Sequence, residues 1–157
     1  MVKIENLISE GKVSKINELE KKRYEDFFLV SYKDNLDHSK FCLDKYPRWS
    51  IISGYYAMHD IAKLLLCKQF SLKVEYNVHS TTIICLQELR KELVLKYEEG
   101  YNKFISLAND LATAKKERVK VQYYTGSNFS RENLKKMALD FFEGTVSSFI
   151  MEVNRLL

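Results

Sequence analysis

The sequence predicts an all-α fold: an antiparallel up-and-down bundle of four main helices with one or two short ones. Three observations point there. The 157 residues include only five Gly and one Pro, a scarcity of turn formers that favours long helices over many short strands. Apolar residues make up 46% of the chain, with ten Tyr and nine Phe, and a chain of this size buries roughly 70% of the surface its unfolded form exposes. Those apolar residues recur at helical spacing along most of the sequence. No fixed-period repeat, low-complexity tract or Pro/Ser-rich linker divides it, so residues 1–157 read as one domain.

From Ser14 to Tyr46 the pattern Ile16, Leu19, Arg23, Phe27, Val30 and on towards Phe41 predicts one long helix. Its length permits a break near Lys33–Asp37, and Met1–Glu10 can add a short helix before it. Pro47 ends that segment and opens the next, because its fixed φ suits a first helical turn and its missing N–H is not needed there. Ile51, Tyr55, Met58, Ala62 and Leu65 form one stripe; Ile52, Tyr56, His59 and Leu66 form another beside it. So wide an apolar face implies a central helix, and Gly54 within it permits close helix approach.

Gln69–His79 reads as a connection. A third helix through Ile83, Leu86, Arg90 and Leu93 then ends near Gly100, a residue suited to a left-handed C-terminal position. The next seam is Phe104, Leu107, Leu111, Ala114, Arg118 and Val121, which puts a guanidinium where an apolar side chain is expected. Tyr123–Asn128 is a turn. Ser130 is a suitable N-cap, with Phe129 and Leu134 placed as a hydrophobic staple. The last stripe runs through Met137, Phe141, Thr145, Phe149 and Val153 to the C-terminus.

Cys42, Cys67 and Cys85 form no metal-ligand or C-x-x-C spacing and read as buried thiols of a reducing compartment. Residues 1–11 mix Lys and Glu into their apolar residues, unlike a signal peptide. Lys63, Lys68 and Lys73 interrupt the longest apolar stretches. A soluble, cytoplasmic protein with no membrane contact is therefore expected. The formal charge of +4 permits nucleic-acid contact without arguing for it. No His, Cys or carboxylate cluster suggests a metal, and no glycine loop suggests a nucleotide cofactor, so neither metal nor cofactor is expected.

The string Gly54-Tyr55-Tyr56-Ala57-Met58-His59, leading into Ala62-Lys63-Leu64-Leu65-Leu66, resembles the second-helix signature of the HEPN (higher eukaryotes and prokaryotes nucleotide-binding) domain. His79-Ser80 resembles the family's His-containing start of the third helix. Arg118 through Tyr123, then a loop, then Ala138, Phe141 and Phe142 resemble its final Arg-x-x-x-x-Tyr, turn and helix. The resemblance covers about Trp49–Leu157 and implies a helical bundle, often dimeric. It also implies nucleotide or RNA binding, a metal-independent ribonuclease activity in many members, and toxins paired with a nucleotidyltransferase-type antitoxin.

Nuclease members place a His roughly four to six residues after their Arg, a window occupied here by Tyr123 and Tyr124. A phenol with an ordinary pKa of about 10 is a poor general base at pH 7. One reading is therefore a nucleotide- or RNA-binding homodimer in which Arg118 anchors phosphate with Gln122 and Tyr123 beside it. The second is a metal-free endoribonuclease using Arg118 with His59 or a Tyr. The third is a non-catalytic protein-interaction module. For His59 packing in the core is the simpler role, as it is for Tyr55, Tyr56 and Trp49. His79 reads as a helix cap or ligand contact, and His38 as exposed.

Overall fold

The computed structural model describes residues 4–103 and 131–157. These residues are mostly helical, with one two-stranded sheet. Helix α1 (Ile4–Ser9) leads through Gly11, at φ 69°, into strand β1 (Val13–Lys15). Helices α2 (Glu18–Cys42) and α3 (Pro47–Phe70) follow, then strand β2 (Leu72–Val74) and helix α4 (Val78–Leu89). A 3₁₀ turn at Lys91–Leu93 continues into helix α5, residues 94–103. The second described segment holds α6 (Arg131–Phe141), a π-helical turn (Phe142–Val146) and α7 (Ser147–Asn154).

The long first helix starts later than its apolar spacing predicts. Asn17 caps α2: its side-chain oxygen accepts the Glu20 N–H at 3.0 Å, and its amide donates back to the Glu20 carboxylate at 3.0 Å. That cap releases Val13–Lys15 to pair antiparallel with β2, Val13 opposite Val74 and Lys15 opposite Leu72. The connection expected at Gln69–His79 therefore carries a strand, and α4 has already begun when it reaches His79. No break interrupts α2 at Lys33–Asp37.

Which face of α2 is buried also differs. Phe28, Tyr32, Ser39 and Cys42 point inward, whereas Leu19, Phe27, Val30 and Phe41 are exposed. The inner face is chosen partly by polar groups that a count of apolar residues ignores. Ser31 and Asn35 bond to Asp60, and the Ser39 hydroxyl donates to the Ser50 carbonyl at 2.7 Å. With His38 bonded to Ser53, these pairs show α3 folding back along α2.

Pro47 opens α3 as its position predicts. From Ala57 to Cys67 nearly every residue of α3 is buried, Lys63 being half-buried, and Ile51, Tyr55, Met58, Ala62 and Leu65 are fully enclosed. Tyr56 and Trp49, however, are exposed rather than core. A Cβ on Gly54 would stand 2.9 Å from Val146 Cγ2 and 3.0 Å from Ser39 Oγ, so α2, α3 and the π turn converge there. Cys42, Cys67 and Cys85 are free and buried.

The third helix does not run unbroken to Gly100. It ends at Arg90 (φ −145°, ψ 71°), and Gly100 lies inside α5, where a Cβ would meet Met58 Sδ at 2.8 Å. Gly100 thus serves close packing, not helix termination. The last helix is likewise interrupted. Phe141, Thr145, Phe149 and Val153 recur every four residues, and at 3.6 residues per turn such spacing drifts by about 40° per step. The wider turn at Phe142–Val146 absorbs part of that drift, and all four side chains are buried. The predicted cap Ser130 and the turn Tyr123–Asn128 lie outside the described residues. Among the described residues no helix is long and apolar enough to cross a membrane.

Gly54→Ala should destabilise the protein by about 1–3 kcal/mol, because the three converging elements must move apart. Gly144→Ala meets nothing within 4 Å and should stabilise by roughly 0.5–1 kcal/mol. Thermal unfolding followed by circular dichroism compares the two; equal midpoints would contradict the close approach at Gly54.

Candidate functional site

Tyr55 and His59 are one helical turn apart on α3 and so share a face. Asp60, the next residue, is turned toward α2, where its Oδ2 accepts from Ser31 Oγ at 2.6 Å and from Asn35 Nδ2 at 3.0 Å. Its Oδ1 lies 3.5 Å from His59 Nδ1, too far and too poorly aligned for a hydrogen bond. Both His59 ring nitrogens are buried, and neither has a hydrogen-bond partner among the described residues.

Two other elements, α4 and α5, close on the same face. His79, in the first turn of α4, sits with its ring centroid 5.1 Å from that of His59. Its Nδ1 is hydrogen-bonded to the Tyr55 hydroxyl. From α5, Tyr101 stacks on His79 at 5.0 Å with planes 23° apart, and Tyr97 lies 6.4 Å from Tyr55. Tyr56 meets the edge of His59 at 6.3 Å. Tyr55 and Tyr97 are fully buried, while His79 and Tyr101 are half-buried and Tyr56 is exposed, so the cluster runs from core to surface.

Burial holds the His59 imidazole below its ordinary pKa of 6.5, and nearby Asp60 only partly opposes this. His79 is also lowered, first by burial, then by His59 and Lys63. Both rings are therefore neutral at pH 7 and able to accept a proton. Burial, reinforced by Tyr97, pushes the Tyr55 phenol far upward, so at neutral pH it keeps its proton. Which of the Tyr55 hydroxyl and His79 Nδ1 donates is set by the tautomer of the neutral ring; the tautomer with Nδ1–H donating to the phenol oxygen leaves Nε2 unprotonated. Lys63, held 5.0 Å over the Phe28 ring, is lowered by burial and raised by Asp60.

Of the residues singled out from sequence, His59 stands in this cluster. Arg118, Gln122 and Tyr123 lie outside the described residues. His79 is neither a cap nor isolated: it joins Tyr55 of α3 to Tyr101 of α5. Asp60, Ser31, Asn35, Tyr97 and Tyr101 were not legible as site residues. The Tyr97–Tyr101 spacing of one turn was the one available signal, since it sets two rings on one helix face. Among the described residues no group of three or more His, Cys, Asp or Glu could hold a metal. Comparison with protein-family models, curated proteins and solved structures found no match for this chain.

The histidines give stability a definite pH dependence. Above pH 6.5 both are neutral in the folded and unfolded chain alike. As pH falls through 6.5, the unfolded chain takes up the proton first, so stability is lost. His59 should contribute at most about 1.4 kcal/mol per pH unit of this loss. Urea unfolding on either side of pH 6.5 should show the slope in wild type and a shallower one in His59→Gln; identical slopes would place the rings elsewhere.

Proposed function

We propose that this chain is a HEPN-like nucleotide- or RNA-binding protein, its helices forming an antiparallel bundle. On this reading it acts as a homodimer with a nucleotidyltransferase-type partner in a toxin–antitoxin pair. The observation that carries the proposal is the meeting of two segments that resemble the family's signature though far apart in sequence. Tyr55 and His59 of the Tyr-Tyr-Ala-Met-His string touch His79 of the His-Ser string, through the Tyr55–His79 hydrogen bond and the 5.1 Å ring contact. The cluster offers aromatic faces on which a base can stack and neutral imidazoles that can hydrogen-bond it. Arg118 anchors phosphate through its planar donors, with Tyr123 and Gln122 orienting it.

RNA binding by wild type and Arg118→Ala, measured in EDTA with folding and oligomeric state checked, tests this. Loss of a charge-assisted contact of about 1.5–3 kcal/mol weakens binding by about 10- to 100-fold. Unchanged affinity in the folded variant would overturn the assignment.

The neutral imidazoles favour one second reading, a metal-independent endoribonuclease. With its Nδ1–H donated to Tyr55, His79, the more accessible ring, takes the proton of an RNA 2′-hydroxyl at Nε2 as that oxygen attacks phosphorus, while Arg118 balances the phosphate charge. The P–O5′ bond breaks, the leaving 5′-oxygen takes up a proton from solvent water, His79 returns its own proton to solvent, and a 2′,3′-cyclic phosphate forms. EDTA-resistant cleavage lost in both His79→Gln and Arg118→Ala supports this reading; binding without cyclic-phosphate product leaves the binding role alone.

A further inference from the structure

A second group of reactive side chains lies at the opposite end of the α2–α3 pair from β1 and β2. His38 and Cys42 are one turn apart near the end of α2, with Cys42 Sγ 3.5 Å from His38 Nε2. The other ring nitrogen, Nδ1, is 2.6 Å from Ser53 Oγ on α3. With Nδ1 carrying the proton, the imidazole donates to Ser53 and turns an unprotonated Nε2 toward the thiol. A nucleophile, a base within reach and a third group orienting that base are thus in line.

These residues open onto a cavity of about 420 Å³ lined by His38, Phe41, Cys42, Tyr46 and Trp49. Three of the five are aromatic, and they stay exposed: Phe41 is 77%, Trp49 56% and Tyr46 55% accessible. Cys42 is 2% accessible as a residue yet contributes to the cavity wall. Cys67 and Cys85 do not line it. Burial pushes both thiols up to about 11, which keeps them protonated and inert at neutral pH.

We propose that Cys42, His38 and Ser53 form a thiol-addition site for an α,β-unsaturated carbonyl compound with an aromatic body, seated against Phe41, Tyr46 and Trp49. His38 Nε2 takes the thiol proton as Cys42 Sγ bonds to the β-carbon. The C=C electron pair moves onto the carbonyl oxygen as an enolate, and the proton passes from His38 to the α-carbon. Every atom of the ligand is retained, no group leaves, and no oxidant or reductant is needed. The aromatic wall supplies selectivity by stacking and by removing apolar surface from water. Ser53 positions the imidazole.

The test uses N-phenylmaleimide and N-ethylmaleimide on the full-length protein, with each cysteine followed by peptide mass spectrometry. Rates are normalised to those of a free thiol. Cys42 should react at least about ten-fold faster than Cys67 and Cys85, because the His38 base beside it takes the proton as the bond forms. The phenyl reagent should be favoured at Cys42. His38→Gln should slow Cys42 by about ten-fold or more with the circular dichroism spectrum unchanged. Trp49→Ala removes an exposed ring and should erase the preference for the phenyl reagent without touching the fold; this readout stands even if His38→Gln unfolds. The proposal is overturned if Cys42 reacts no faster than the two buried thiols. It is equally overturned if folded His38→Gln reacts as wild type does, or if the two maleimides do not differ.

Discussion

Asp60 puts a carboxyl group inside the protein, and the donors that satisfy it set how α2 and α3 lie against each other. An unsatisfied buried polar group of this kind costs about 1–3 kcal/mol, and more when charged. Ser31 and Asn35, one turn apart on α2, both reach the same oxygen of Asp60. Sliding either helix by one turn would strand all three groups. The pairings Ser39 with Ser50 and His38 with Ser53 continue the same register toward the Pro47 turn. Apolar packing supplies most of the driving force for burying α3, but it tolerates several alignments; the polar pairs select one.

That register decides where His59 goes. Being next to Asp60, it is carried to the neighbouring face of α3, where α4 and α5 arrive with His79, Tyr97 and Tyr101. His59 is buried with no hydrogen-bond partner among the described residues, and burial keeps its ring neutral. Rings around it lie tilted or edge-on, an arrangement in which aromatic quadrupoles contribute to its packing. The cluster, and not the exposed apolar residues of α2, carries the functional proposal because two segments distant in sequence meet in it.

The sequence conveyed the helical character and much of the second long helix, because Pro47 and the unbroken stripe Ile51–Leu65 each have one local meaning. It misled where two signals competed. Leu19, Phe27 and Val30 have helical spacing and yet face outward, since Ser31, Asn35 and Ser39 on the other face answer to partners more than ten residues away. Gly100 resembled a helix end because glycine suits both a left-handed residue and a close contact, and only Met58 distinguishes them. The π turn was hidden in a regular four-residue spacing. As for the site, His59 was noticed and Asp60, its neighbour, was not. A lone acidic residue in an apolar helix acquires meaning only when its donors are known.

The strands β1 and β2 are short, with three residues each, but they join the chain just before α2 to the chain just after α3. The α2–α3 pair is therefore tied at both extremities, by the Tyr46–Pro47 turn at one and by the ribbon at the other. An ordinary helical hairpin loses structure progressively from its open end, where fraying costs little. Here that route is closed: separating the tips requires breaking the ribbon's backbone hydrogen bonds along with the helical contacts behind it. The two helices consequently open as one cooperative unit, and the chain between the strands is a closed loop whose ordering entropy is settled in a single step.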